Sequence, residues 1–415
     1  MSFARVWFQR LHHPYFKMAY LTRVLRCDPA AISFAADEPV ITSPEMLESL
    51  QLAAQHLHNG ETVAFPTETV YGLGALALEN EAASRIFSTK GRPPDNPLIV
   101  HVSSLSMLRR LLPADYTLSR TQEILMRRFW PGPLTLLFPT SPDMVPSIIT
   151  AGQPTVAIRM PSHPVARALI ALTDAPVAAP SANSSGKPSP TRAEHVLKDL
   201  NGKLGLILDG GPCGVGLEST VVDALHEDGN IRVLRPGGVT VEDIEKTIRE
   251  EMHDVPSVPK VLVHRRDYRD EAIEQAPTTP GMKYRHYSPA VPVVLLHTSE
   301  PPPGTDRVGI TAYIDSLKNK AANLGRELKV GLLMPSDSLI LAIAMGMEGV
   351  TWHVHSLGST ATPVVAAQRL FDGLLTLESD GVDLILIEEI EEEREGLAVM
   401  NRVRKAAGES VWIGL

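Results

Sequence analysis

Five segments of this chain gather the residue types that grip phosphate and carboxylate groups. FPTETVYGLG (65–74) packs hydroxyls, a carboxylate and two glycines into one strand exit, and STKGRPPDNPLIVHV (88–102) sets Lys90 and Arg92 ahead of a Pro-rich turn and Asn96. APSANSSGKPSPT (179–191) is a serine-rich loop around Asn183, GVGLESTVVD (214–223) carries Glu218 and Ser219, and LRPGG (234–238) puts Arg235 before two glycines. Lysine supplies a point charge, arginine a bidentate fork, and serine hydroxyls and loop N–H groups neutral donors, which together suit a cradle for a polyphosphate. Ser, Pro and Gly also dominate ordinary turns, so any one loop taken alone reads as a connection. Five of them, each at the end of an apolar run, make the pattern of a ligand site in an α/β protein.

Other familiar motifs are missing or weak. Gly72-Leu-Gly74-Ala-Leu-Ala77 fits the spacing of a dinucleotide fingerprint, but no helix opens at its glycines, and a lone glycine motif carries little weight. The sequence has no G-x-x-x-x-G-K-[ST], no H-E-x-x-H and no G-x-S-x-G.

The elements that must hold these loops are legible as alternating short apolar runs and helical periods. Ser43 is a candidate N-cap with Pro44 at the first helical position; Leu47, Leu50, Ala54 and Leu57 share a face, and Gly60 stops the helix. Segments 62–67, 97–102, 134–138, 155–159, 204–208, 219–224 and 231–235 read as strands, and 80–89, 119–129, 164–173, 191–200 and 240–251 as helices. Residues 252–289, with scattered prolines and the charged run HRRDYRDE, read as a linker. Beyond it VPVVLL, RVGITAY, LKVGLLM, TWHVHSL and VDLILIEE alternate with helical patterns near 313–323, 336–346, 360–378 and 397–407, the βαβ rhythm of a small parallel-sheet domain. The acidic run 388–395 reads as a solvated helix start or loop.

Composition bounds the class. A length of 415 residues calls for two domains or three, and 44% hydrophobic with 21% charged residues excludes wholesale disorder. A net charge of −9 argues against nucleic acid as a stable scaffold partner. Two cysteines, Cys27 and Cys213, exclude a disulfide framework and suit a reducing compartment. No apolar run approaches the ~20 residues of a spanning helix, so no membrane partner is expected. The first 27 residues hold five cations and no acid. Two readings stay open for them: a mitochondrial transit peptide, with Met18 as a second start giving a cytoplasmic form, or a basic tail.

PTETVYGLG, KGRP-x-DNPLIVH, WPGPLT, TVAIRMPSHP, APSANSSGKPSPT, DGG-x(5)-LESTVVD and LRPGG resemble the YrdC-like threonylcarbamoyl-adenylate synthases. PGMKYRHYSP (280–289) and GLAVMNRVRKAA (396–407) resemble the linker and C-terminal domain of the family's two-domain form. The resemblance runs in order through residues 40–407. It implies a basic extension (1–39), a twisted YrdC-like α/β domain (40–251), a linker that lids the active site (252–289) and a Rossmann-like parallel-sheet domain (290–415).

The resemblance also implies an activity: L-threonine, bicarbonate and ATP give L-threonylcarbamoyl-AMP and pyrophosphate, with Mg²⁺, and the product goes to a downstream transferase complex that modifies tRNAs reading codons that begin with A. The family signature of Lys, Arg, Ser and Asn falls on Lys90, Arg92, Ser181 and Asn183. Thr67, His101, Arg159, Ala179 and Ser219 fall on threonine-holding positions. Asn96, Thr155, Ser189, Arg235, His286 and Tyr287 join the signature residues around ATP. Two alternatives carry other expectations: an RNA-binding module gripping tRNA through a local cationic patch, and carbamoyl-adenylate chemistry on another acceptor. No protein-bound metal ligand set is implied. Glu68 and Glu218 lie near the site as candidates for a general base or for structural hydrogen bonding.

Overall fold

The computed structural model describes residues 21–275, 278 and 286–414. The 1–20 part of the basic extension and 280–285 of the PGMKYRHYSP segment lie outside the described residues.

An eleven-stranded mixed sheet forms the first domain. In spatial order its strands are Arg23–Arg26, Leu206–Asp209, Val63–Phe65, Gly72–Leu76, Val177–Ala178, Ile99–His101, Thr155–Arg159, Leu134–Pro139, Thr220–Asp223, Ile231–Arg235 and Val261–Val263. Helices cover it and bury one face each. Pro44–His58 starts where Ser43 accepts a hydrogen bond from the Met46 N–H, and it turns Met46, Leu50, Ala53, Ala54 and Leu57 inward. The expected face is thus shifted slightly, with Met46 taking the fully buried place and Leu47 the margin.

A second sheet of six strands is parallel throughout, in the order Val308–Gly309, Glu409–Gly414, Val293–His297, Leu384–Glu388, Leu328–Met334 and Val350–Ser356. Helices Ile310–Asn323, Leu339–Met345, Pro363–Ser379 and Glu395–Ala406 complete a Rossmann-like domain. Among the described residues no helix is long and apolar enough to cross a membrane.

Three sequence readings need correction. The 1–39 extension is structural from its second half onward: Arg23–Arg26 pairs in parallel with Leu206–Asp209, and Ile32–Ala35 forms a hairpin with Glu38–Ile41. The linker does not begin at 252, because Met252, Val261 and Val263 belong to the first core and Val261–Val263 is the last strand of its sheet. RVGITAY is mostly helix: after the two-residue strand Val308–Gly309 the chain turns directly into Ile310–Asn323. The strands Gly72–Leu76 and Glu409–Gly414 have no counterpart in the sequence reading. The first of these also settles the glycine motif. A Cβ on Gly74 would lie 2.5 Å from the Phe65 ring and 2.8 Å from Val177, so that glycine permits sheet packing rather than dinucleotide approach.

Candidate active site

One cavity in the first domain is lined by four of the five loops and by Arg235, which opens the fifth, and His286 and Tyr287 line it too. Its residues fall into two groups.

The first group sits on adjacent strands at one level. His101 is in register with Arg159, and Arg159 with Thr135, so their side chains emerge on the same face of the sheet. Arg159 is buried; its Nε donates to the Gly132 carbonyl at 3.2 Å, one terminal nitrogen to the Thr69 hydroxyl at 2.9 Å, and the other to the Glu68 carboxylate. The second Glu68 oxygen accepts from the Ser162 N–H at 3.1 Å. Glu68 therefore orients the guanidinium. The Thr67 hydroxyl is consumed locally, donating to the Val70 carbonyl at 2.6 Å and lying 2.7 Å from the Thr69 hydroxyl, so Thr67 shapes the loop that delivers Thr69. Burial pushes the His101 imidazole down to about 3, and its Nδ1 lies 3.2 Å from the Ile99 carbonyl, leaving a neutral ring at physiological pH. Ser219 lies 2.8 Å from the Thr135 hydroxyl. Ala179 meets Gly72, where an added Cβ would come within 3.2 Å, so small residues keep this floor low.

The second group is cationic. Helix Asn80–Lys90 buries Ala83, Phe87 and Lys90 along one face, and Gly91 at φ +61 ends it, so that Lys90 points inward and Arg92 doubles back. Lys90 Nζ donates to the Ser181 and Asn183 carbonyls, which uses two of its three donors, and burial lowers its pKa well below the usual range. Arg92 is pinned by the Asn96 carbonyl at 3.2 Å and the Pro97 carbonyl at 2.9 Å, and burial lowers it to about 10. An anion bound here would offset that burial for both groups. Asn183 donates from Nδ2 to the Ser184 and Lys187 carbonyls at 2.9 and 3.0 Å, while its buried Oδ1 has no partner among the described residues. That leaves an acceptor for a hydroxyl or amine of a ligand. Arg235 Nη2 donates to the Ser219 carbonyl at 2.9 Å, which joins the two groups. Ser189 donates to Glu218 at 2.6 Å, and Tyr287 packs at 5.1 Å against Phe371 of the second domain.

Of the fifteen positions the sequence nominated, thirteen line the cavity, and Asn96 and Thr155 do not. Asn96 acts through its backbone carbonyl on Arg92. Thr155 begins the strand that ends at Arg159, roughly 13 Å away at the ordinary strand rise. The sequence reading passed over Thr69, and both carboxylates it singled out, Glu68 and Glu218, are held by arginines.

Two family models match the chain: "Telomere recombination" over residues 55–237 and "Threonylcarbamoyl-AMP synthase, C-terminal domain" over 239–408. The curated threonylcarbamoyl-AMP synthases of Schizosaccharomyces pombe and Pyrococcus abyssi are 42% and 43% identical to it, over 88% and 89% of this chain and 90% and 97% of theirs. The chain belongs to the threonylcarbamoyl-AMP synthase family. A solved structure of Pyrococcus abyssi Sua5 in complex with L-threonine superposes with a TM-score of 0.71 at 37% identity, covering 95% of this chain and all of that one. The same protein with an adjacent histidine and tyrosine replaced by alanine superposes equally well. Members of this synthase family also include shorter chains: that of Vibrio cholerae is matched over 99% of its length by 46% of the present one.

Proposed function

We propose that this chain condenses L-threonine, bicarbonate and ATP into L-threonylcarbamoyl-AMP with release of pyrophosphate, and that the product passes to a tRNA threonylcarbamoyltransferase complex. The single observation that carries the reading is the joining of an amino-acid-sized polar pocket around Arg159 to a cationic pocket around Lys90, Arg92 and Arg235 in one cavity.

In this reading the Arg159 fork, oriented by Glu68, takes the threonine carboxylate. His101, held neutral, adds no competing charge to the amine that must react with bicarbonate. The resulting carbamate oxygen attacks the α-phosphorus, the bond to the β-phosphate breaks in line, and pyrophosphate leaves with its electron pair. Positioning and charge neutralisation carry such a transfer, and no protein nucleophile is needed. Lys90 and Arg92 meet the phosphates where negative charge grows. Among the described residues no cluster of three or more His, Cys, Asp or Glu forms, and the cavity's own carboxylate, Glu218, is taken by Arg402 and Ser189. The residues present therefore do not build a metal site, and Mg²⁺ is assigned to the ATP substrate as its phosphate-bound counter-ion. His286 and Tyr287 cover the nucleotide side and keep water from the mixed anhydride. A cytoplasmic protein with an additional organellar form fits the Arg-rich start; fluorescent fusions of the chain from Met1 and from Met18 test it.

Pyrophosphate release measured with each substrate omitted in turn tests the reaction. Release is expected only with threonine, bicarbonate and ATP together. Equal turnover without bicarbonate would mean plain amino-acid adenylation and overturn the proposal.

A further inference from the structure

The segment GLAVMNRVRKAA has no part in the chemistry above, yet one of its residues reaches the cavity wall. Arg402 lies on helix Glu395–Ala406 of the second domain and is fully buried. Its Nε and Nη2 donate to one Glu218 oxygen at 3.1 and 3.0 Å, and its Nη1 donates to the Pro236 carbonyl and, at 3.3 Å, to the Ala398 carbonyl. The other Glu218 oxygen accepts from Ser189 at 2.6 Å, and the negative charge of the same carboxylate bears on the Tyr287 hydroxyl. The Arg402 guanidinium also stands 5.9 Å from the centroid of the Tyr287 ring. One side chain of the second domain thus braces the carboxylate beside which two nucleotide-side groups stand, Ser189 of the first domain and Tyr287 of the linker.

We propose that Arg402 is a positioning residue for the nucleotide half of the site: by holding Glu218 as an ionised acceptor it fixes the Ser189 hydroxyl and the Tyr287 ring where they meet the nucleotide. This rests on the functional reading above. A buried carboxylate without a counter-charge takes up a proton, and a carboxylic acid has one acceptor fewer and a new donor to place. Ser189 would then lose its charged acceptor, and Tyr287 the negative charge beside its hydroxyl. Glu218 is faced by Arg402, Arg235, Lys90, Lys405, His286 and Tyr287. Burial alone would raise it, and Arg402 first and Arg235 second hold it at about 2. Lys405 is a poor substitute, since burial lowers it to about 7. Lysine at 402 would keep the charge but lose the fork that reaches Glu218 and Pro236 together.

The test uses the full chain with Arg402→Met, Arg402→Lys and the double variant Arg402→Met with Glu218→Gln. Pyrophosphate release gives the KM for ATP and for threonine, calorimetry gives threonine affinity without ATP, and kcat/KM for ATP is followed from about pH 5 to 8. For Arg402→Met the KM for ATP is expected to rise about tenfold or more while threonine affinity stays within about twofold. Its acid limb should move up into the measured range, because Glu218 then titrates there. Arg402→Lys should recover part of the loss, and Glu218→Gln should remove the acid limb without restoring ATP affinity. Equal weakening of both substrates, or an unchanged KM for ATP and acid limb, would overturn the proposal. Should Arg402→Met fail to melt cooperatively, Arg402→Lys decides alone: wild-type KM for ATP there overturns it as well. If the wild-type chain itself released no pyrophosphate, the functional reading would fall separately, and ATP binding by the same variants would still judge Arg402.

Discussion

The two halves of the cavity are built to different plans. Around Arg159 every partner comes from the first domain: Thr69, Gly132 and Glu68 hold the guanidinium, and His101 and Thr135 stand beside it on neighbouring strands. Around Lys90 and Arg92 the first domain supplies the cations, but Tyr287 comes from the segment leading into the second domain and packs against Phe371, and Glu218 is gripped by Arg402. A pocket for a small zwitterion can be completed inside one sheet. The cationic half is backed by Phe371 and Arg402 of the second domain, which press on its lining residues Tyr287 and Glu218, so this half depends on how the domains are joined.

Four measurements break or sharpen that contrast. Lys90→Ala should have the largest effect, lowering turnover by about 10² to 10³ because its charge is wanted most as pyrophosphate leaves, with threonine affinity little changed. Arg159→Ala should raise the KM for threonine by about 10- to 100-fold, the usual worth of a charged hydrogen-bonding fork, and leave ATP affinity nearly intact. Parallel losses of both ligands in both variants would erase the distinction between the halves. Tyr287→Ala should cost about tenfold in the KM for ATP with none in threonine binding by calorimetry, an effect the size of a lost aromatic wall. The smallest effect concerns acid stability. His101 is depressed to about 3, so between its ordinary value near 6.5 and that point the unfolded chain binds a proton that the folded chain refuses. Stability therefore falls as pH is lowered through this window. His101→Gln should flatten the dependence of Tm on pH between about 6.5 and 4, and an identical slope in both proteins would show that His101 is not the group responsible.

Much of this was written locally in the chain. Lys90 and Arg92 could be named because two cations stand directly ahead of a Pro-rich turn, and the serine-rich loop declares its donors by composition. The helix Pro44–His58 could be delimited because its Ser-Pro start and Gly stop are adjacent residues. What escaped depends on distant pairing. Arg23–Arg26 carries the composition of a basic tail and becomes a strand only by pairing with Leu206–Asp209. Val261–Val263 is three residues in a Pro-rich stretch, and only its neighbour Ile231–Arg235 makes it sheet. Thr69 and Glu68 gain their roles from Arg159, some ninety positions on, and Arg402 from a carboxylate in the other domain. Asn96 was nominated for its side chain, but the fold uses its carbonyl.

The domains meet closely enough for the backbone to matter. Gly216, at φ +79, lies against helix Pro363–Ser379 such that a Cβ there would come within 2.5 Å of the Gln368 Cα and 2.7 Å of the Ala367 carbonyl. With Arg402 buried nearby, this joint is a weld rather than a hinge. A jaw that swings wide to discharge its contents would have to break it at every cycle.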